Sequence, residues 1–228
     1  MKKLLILLVS ASLLLTTSCG DDDNSEPAFE FDCTYLKVKE GSKLTQKYVS
    51  AGSSTETTVT SEVIDETEVA NTQVAVFEND AGQQSFVTCD GDKFIVTAGQ
   101  TTTVDGTTTV ENILLTLDLG RPVGESYEAA TIVSTTTVQG YMFETVNRYE
   151  GKVVEKDLTM EVEGTSYTDV VKFELESYTS SSLDPGVETF TTTTTYYMAP
   201  EVATIMTEIY DETQGFVSTT ITLISYEY

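Results

Sequence analysis

No histidine and no tryptophan occur in this chain of 228 residues. Without histidine there is no Ser–His–Asp or Cys–His nucleophile, and no zinc site built on imidazole. Without tryptophan the chain lacks the side chain best suited to stacking on flat apolar ligands. Basic residues are scarce: 12 Lys+Arg stand against 37 Asp+Glu, a formal net charge of −25. Nucleic acid requires neutralisation of its phosphates by Lys and Arg. No basic patch supplies that here, so nucleic acid is excluded as a partner. Only four prolines are present, too few for a sugar-bearing Ser/Thr/Pro stalk. Beyond the first residues, no apolar run approaches the roughly 20 residues of a membrane-spanning helix.

What is present begins with "MKKLLILLVSASLLLTTSC". Lys2 and Lys3 make a cationic start, and the apolar run Leu4 to Leu15 is too short to span a bilayer but fits an export signal. Thr16 to Cys19, "TTSC", resembles the lipobox of bacterial lipoproteins, with Ser18 as the small residue before the cysteine. The usual apolar residue three places before the cysteine is replaced by Thr16, and Leu15 stands one place earlier. The resemblance implies a signal peptide over residues 1–18, acylation of Cys19, and attachment to the membrane through that lipid. Residues 19–33 then read as an acidic flexible tether, since "GDDDNSEPA" carries too little apolar surface to offset its ordering entropy. From Cys19 to Thr34 it reaches at most about 50 Å. The acidic run Gly20 to Asn24 also resembles a surface-export signal of lipoproteins in one large group of diderm bacteria. It implies an outer-membrane address facing the cell exterior, with the periplasmic face as the alternative.

Cys33 and Cys89 are left over once Cys19 is assigned to the anchor. In a chain that leaves the reducing cytoplasm they can form a disulfide. They can equally remain two buried thiols, behaving as small apolar residues. Sequence leaves both open.

The body, residues 34–228, reads as all-β. Val171, Phe173 and Leu175 alternate with Lys172, Glu174 and Glu176, and Leu158, Met160 and Val162 alternate with Thr159, Glu161 and Glu163. Ile113, Leu115, Leu117 and Leu119 form another apolar row. This two-residue period is that of strands with one face in a core and one in water. Asp105-Gly106 and Asp90-Gly91 suit two-residue hairpin turns. About eleven strands are expected, in a single large curved antiparallel sheet or half-open barrel. The 40 threonines fit strand propensity within these alternating rows.

Two stretches carry a resemblance. "TYLKVKEGSKLTQKYVS" (Thr34 to Ser50) opens the body and "YYMAPEVATIMTEIYDETQGFVSTTITLISYEY" (Tyr196 to Tyr228) closes it. The pair is similar to the opening and closing elements of uncharacterised bacterial lipoproteins whose domains resemble the lipoprotein-localisation carriers. That likeness implies a curved antiparallel sheet or half-barrel. Such chains usually have Gly-Val-Gly in the closing break, where this one has Ala199-Pro200-Glu201-Val202-Ala203.

No residue is nominated as catalytic, cofactor-binding or metal-binding, and no cofactor is expected. The 37 acids follow no spacing rule for a carboxylate pair. Asp90-Gly91-Asp92 and Asp21 to Asn24 offer oxygen ligands but not the twelve-residue calcium loop. Tyr196 and Tyr197 can contribute to an aromatic binding surface, although adjacent strand residues put one ring inward and one outward. Three functions are ranked. First comes a non-enzymatic binding or scaffolding lipoprotein, its partner an envelope protein or a glycan. Second comes a carrier of an apolar or lipid ligand, with a pocket lined by rows such as Ile113, Leu115 and Leu117. Third comes a carboxylate-dependent hydrolase.

Overall fold

The computed structural model describes residues 29–228 apart from Ser54, Asp105 and Gly106. The leader, Cys19, the acidic run and the Asp105-Gly106 turn therefore lie outside the described residues. A small antiparallel pair comes first, β1 (Glu30–Asp32) and β2 (Lys37–Lys39). Twelve further strands form one sheet. They are β3 (Lys43–Ser50), β4 (Glu56–Val69), β5 (Thr72–Asn79), β6 (Gln84–Asp90), β7 (Lys93–Val104) and β8 (Thr107–Asp118). The second half adds β9 (Ser126–Val138), β10 (Tyr141–Val162), β11 (Thr165–Ser181), β12 (Asp184–Ala199), β13 (Ala203–Asp211) and β14 (Phe216–Glu227).

The all-β reading and the curved sheet hold, with twelve strands in the sheet rather than about eleven. Their order is β6-β5-β4-β3-β14-β13-β12-β11-β10-β9-β7-β8, and β6 also pairs with β7. The sheet thereby returns on itself. β8 occupies one edge of β7 from Lys93 to Val104. The other edge of β7 meets β6 at Lys93–Val96 and β9 at Thr102–Val104. This last contact is parallel, unlike every other strand pairing among the described residues. Strong stagger accompanies closure. β4 pairs with β3 over Glu56–Glu62 but with β5 over Ser61–Val69, the shear that a closing sheet requires.

Side-chain alternation decides which face is core. Val171, Phe173 and Leu175 are buried, as are Leu115, Leu117 and Leu119, while Lys172 and Glu174 between them form an outer-face ion pair at 3.9 Å. Phe173 packs edge-on to Tyr127, with ring centroids 6.3 Å apart. The backbone of Gly151 passes so close that a Cβ there would lie 2.6 Å from the Phe173 ring. Glycine is needed at that point because the rings leave no space for a methyl group. A second, smaller core gathers Val162, Val170, Ala199, Ile205 and Leu223. The β10–β11 hairpin reaches it by bending. Its register shifts repeatedly between Val153 and Met160, and Asp157 and Asp169 adopt positive φ. At the hairpin tip Glu163 pairs with Lys47 of β3 and accepts a hydrogen bond from Thr222 Oγ1 of β14 at 3.2 Å.

The tether read from composition ran to Cys33, but Phe29 to Cys33 are built into the fold. β1 lies in this stretch, and Phe29 and Phe31 pack against the main core. Acidic composition set the expected boundary, whereas the two phenylalanines bury enough apolar surface to order it. From there the chain crosses the sheet as a strap. Leu36 and Val38 are 3% and 1% exposed, and Leu36 bridges to Val202 in the β12–β13 turn. The N–H of Lys37 donates to the Glu201 carbonyl at 3.2 Å, and the N–H of Glu201 donates to the Thr34 carbonyl at 2.9 Å. Cys33 and Cys89 have Cα atoms 6.2 Å apart and their sulfurs are joined, which fixes the strap to β6.

Candidate binding cavity

Inside the curved sheet, on the side of β3 to β7, lies a cavity of about 420 Å³. That is within the range of pockets that hold small organic ligands. Its inner wall is apolar: Leu36 and Val38 from the strap, Phe77 from β5, and Phe94 and Val96 from β7. Its outer margin is polar, with Gln46 and Tyr48 from β3 and Asn79, Gln83, Gln84 and Ser85 at the β5–β6 turn. Gln83, Gln84 and Ser85 are exposed, whereas Leu36, Val38, Phe77 and Phe94 are buried. The buried part of the lining is thus mainly apolar, with Thr207 the polar exception, and its exposed part is polar. β3 shows how the sequence builds this change. Leu44, Gln46 and Tyr48 are alternate residues on one strand and all three line the cavity, so one face turns from apolar to polar within five residues.

Tyrosines from the far side complete the lining. Tyr196 of β12 faces the cavity and its burial pushes the phenol up to about 12. Tyr226 of β14 also lines it, again raised to about 12 by burial. The Tyr226 hydroxyl is closed off from solvent and has no hydrogen-bond partner among the described residues. An orphaned hydroxyl of this kind costs about 1–3 kcal/mol. Tyr48 is raised as well, through burial. All three rings therefore present neutral hydroxyl groups. Among the described residues no Lys, Arg, Asp or Glu lines the cavity, although one residue in five of the chain is charged.

The acids gather elsewhere. Arg148 on β10 grips Glu188 of β12 through two hydrogen bonds of 3.0 and 2.7 Å and also binds Glu150. Its guanidinium lies 4.4 Å from the centre of the Tyr178 ring, and the Tyr178 hydroxyl donates to Glu176 at 2.6 Å. These contacts hold Arg148 well above its ordinary range and Glu188 below that of a free carboxylate, each through hydrogen bonding to the other. The cluster joins β10, β11 and β12 across their solvent face. It is ion-paired structure on the outer face of the sheet. Among the described residues no group of three or more Cys, Asp or Glu is arranged to hold a metal ion.

Several residues singled out from sequence are placed differently from one another. Leu115 and Leu117, expected to line a pocket, are buried in the packed core. Together with the half-buried Ile113 they lie outside the cavity lining. The reason is that β8 folds under β9: the Tyr127 hydroxyl donates to the Thr116 carbonyl at 2.8 Å and accepts from the Asp118 N–H at 2.5 Å. Tyr196 and Tyr197 point oppositely, the first into the cavity and the second toward Glu208, to which it donates at 3.2 Å. Asp90-Gly91-Asp92 forms the β6–β7 turn, with Asp90 4.0 Å from Lys93. Cys19 lies outside the described residues. The cavity margin at Asn79 to Ser85 was not found from sequence, because its amides and hydroxyl carry no spacing that marks a site.

No protein-family model matches the chain, and no curated protein matches it. Solved structures do resemble it. A candidate lipoprotein from Parabacteroides distasonis shares 11% identity and a TM-score of 0.53, over 86% of this chain and all of that one. A candidate exported protein with a YmcC-like fold from Bacteroides fragilis shares 12% identity and a TM-score of 0.48, again over 86% of this chain and all of the other. At 11% identity the first likeness is one of fold, and it agrees with the all-β curved sheet.

Proposed function

We propose that the chain is a lipid-anchored lipoprotein of the outer membrane, displayed outward on an acidic tether from Cys19, and that it works by binding rather than catalysis. The cavity is the binding site. The observation that carries this reading is its combination of a buried apolar wall and a polar margin. Among the described residues its lining holds no Lys, Arg, Asp or Glu to serve as an acid or base beside its hydroxyl groups, which favours a ligand-holding role over hydrolysis. Two measurements test the proposal. Dye uptake with 1-N-phenylnaphthylamine should be seen with the unmodified chain and be lost in Val87→Trp, which fills the cavity from β6. Uptake that survives this substitution refutes the cavity as the site. Palmitate labelling should occur in the unmodified chain and vanish in Cys19→Ala, and intact cells should be sensitive to added protease. Labelled but fully protected protein would overturn outward display alone.

A second reading, scaffolding of an envelope protein, is favoured by three neighbouring hairpin tips. Val104, Val138, Tyr141, Met142, Leu183 and Val187 are exposed there, from 49% to 74%. Loss of partner cross-linking at Leu183, with dye uptake intact, would favour that reading over the cavity.

A further inference from the structure

We infer that the cavity selects an uncharged single-chain amphiphile, its tail against the strap and its hydrogen-bonding head among the amides of the β5–β6 turn. This deepens the binding reading above and rests on it. Three observations carry it. The first is the direction of polarity. The deep wall is made by Leu36, Val38, Phe77 and Phe94, all at most 7% exposed. The margin is made by Gln46, Asn79, Gln83, Gln84 and Ser85. An apolar tail gains by leaving water at the first and a polar head keeps its hydrogen bonds at the second.

The second observation is charge. With neither Lys nor Arg in the lining among the described residues, a carboxylate or phosphate head would exchange part of its water for the margin's amides and hydroxyls with no cation beside it, within a protein of formal charge −25. Even partial desolvation of an unpaired charge is costly. Among the described residues no carboxylate lines the cavity to pair with a cationic head, and Glu78, beside the margin, already accepts from Gln84 Nε2 at 3.0 Å. The third is the type of polar group supplied. Amides and hydroxyls each donate and accept, which matches an alcohol, ester or glycerol head. Asn79 Oδ1 already accepts from the N–H groups of Ala81 and Gln83, at 3.0 and 2.9 Å. The Asn79 amide donates to Gln83 Oε1 at 3.0 Å. These bonds hold the turn in one shape, with Ser85 at the exposed margin and Gln84 Nε2 donating to Glu78 Oε2 at 3.0 Å beside it.

The test compares three twelve-carbon amphiphiles that differ only in head: 1-monolaurin, laurate and dodecyltrimethylammonium. Each is titrated below its micelle concentration into the full chain carrying Cys19→Ala, so that no anchor acyl chain competes. Monolaurin is expected to bind at least about tenfold more tightly than either charged probe, given the cost of an unpaired buried charge. Laurate or the cation binding equally well would overturn the ligand class while leaving the cavity a binding site. Binding by none of the three would overturn the binding reading itself. Ser85→Lys, at an exposed margin position that leaves the core untouched, should raise laurate affinity by about tenfold through a new charge-assisted contact and change monolaurin little. Unchanged laurate affinity in that variant would refute the placement of the head.

Discussion

Glycine in place of Glu201 should make the protein more stable. Glu201 has φ +63°, a left-handed conformation that costs an L-residue roughly 1–2 kcal/mol. Glycine enters that region freely but carries more unfolded-state entropy, worth roughly 0.5–1 kcal/mol. The difference is a gain of about 0.5–1 kcal/mol. Nothing on the side-chain side offsets it, because the exposed Glu201 carboxylate makes no hydrogen bond or ion pair among the described residues. The backbone bonds to Thr34 and Lys37 survive the change.

Two residues on, Ala203 has φ +67° but gives a different balance. Its methyl group lines the cavity and packs on the main core, and losing it costs up to about 0.8 kcal/mol. Ala203→Gly should therefore be close to neutral. Thermal unfolding separates the cases. A chain of this size shifts by about 2–4 °C per kcal/mol, so Glu201→Gly should raise Tm by about 2 °C. Glu161→Gly, at an exposed strand position without positive φ, should lower Tm by a similar amount. A fall in Tm for Glu201→Gly, or an equal rise for Ala203→Gly, would refute the reasoning.

The Cys33–Cys89 bond closes a loop of 56 residues, so the double variant Cys33→Ala/Cys89→Ala should lose about 4 kcal/mol on the chain-entropy account. Urea unfolding checks this, and a loss under about 1 kcal/mol would show that the strap holds itself in place without the bond. Alkaline pH should unfold the protein between pH 10 and 12. Burial raises the phenols of Tyr127, Tyr196 and Tyr226 from 10 to about 12. The folded state thus holds these protons more tightly than the unfolded state. Its advantage is complete below pH 10 and is lost as pH climbs toward 12. Phenolate absorbance should rise together with loss of the sheet by circular dichroism, and phenolate forming near pH 10 with the sheet intact would contradict it.

The fold was legible where local chemistry decides it. Alternation at Val171, Phe173 and Leu175 gave the inward face correctly, because a strand's period is fixed by its backbone. Closure was less legible. That β7 divides one edge between β6 and β9 depends on stagger summed over many strands, and no single pair of residues records it. The Ile113–Leu117 row shows the same limit. Apolar alternation marks a buried face equally whether that face packs on a neighbour or borders empty space. Position in the closed sheet made β8 core and made β3, β5, β6 and β7 the cavity wall. The one local trace was in β3, where Leu44, Gln46 and Tyr48 mix apolar and polar residues on a single face. A plain core strand has no reason to do this, and a strand ending in a polar margin does.

The β12–β13 break bears on the family resemblance. Chains of the similar kind usually carry Gly-Val-Gly there. In this chain Glu201 and Ala203 flank Val202, and both keep positive φ. The left-handed conformation that glycine enters freely is taken here by two other residues, held by the strap through Thr34, Lys37 and the Leu36–Val202 bridge. This arrangement gives the cavity a direction. Hairpin turns alternate between the two rims of the sheet, so the strap, the β12–β13 break and the start of the described chain share one rim. The β5–β6 turn and its polar margin lie on the other. If Cys19 anchors the chain as proposed, its tether joins the body at the strap rim, while the cavity margin opens at the other rim. The three exposed apolar hairpin tips are on that same far rim, where a partner delivering or receiving the ligand would meet them.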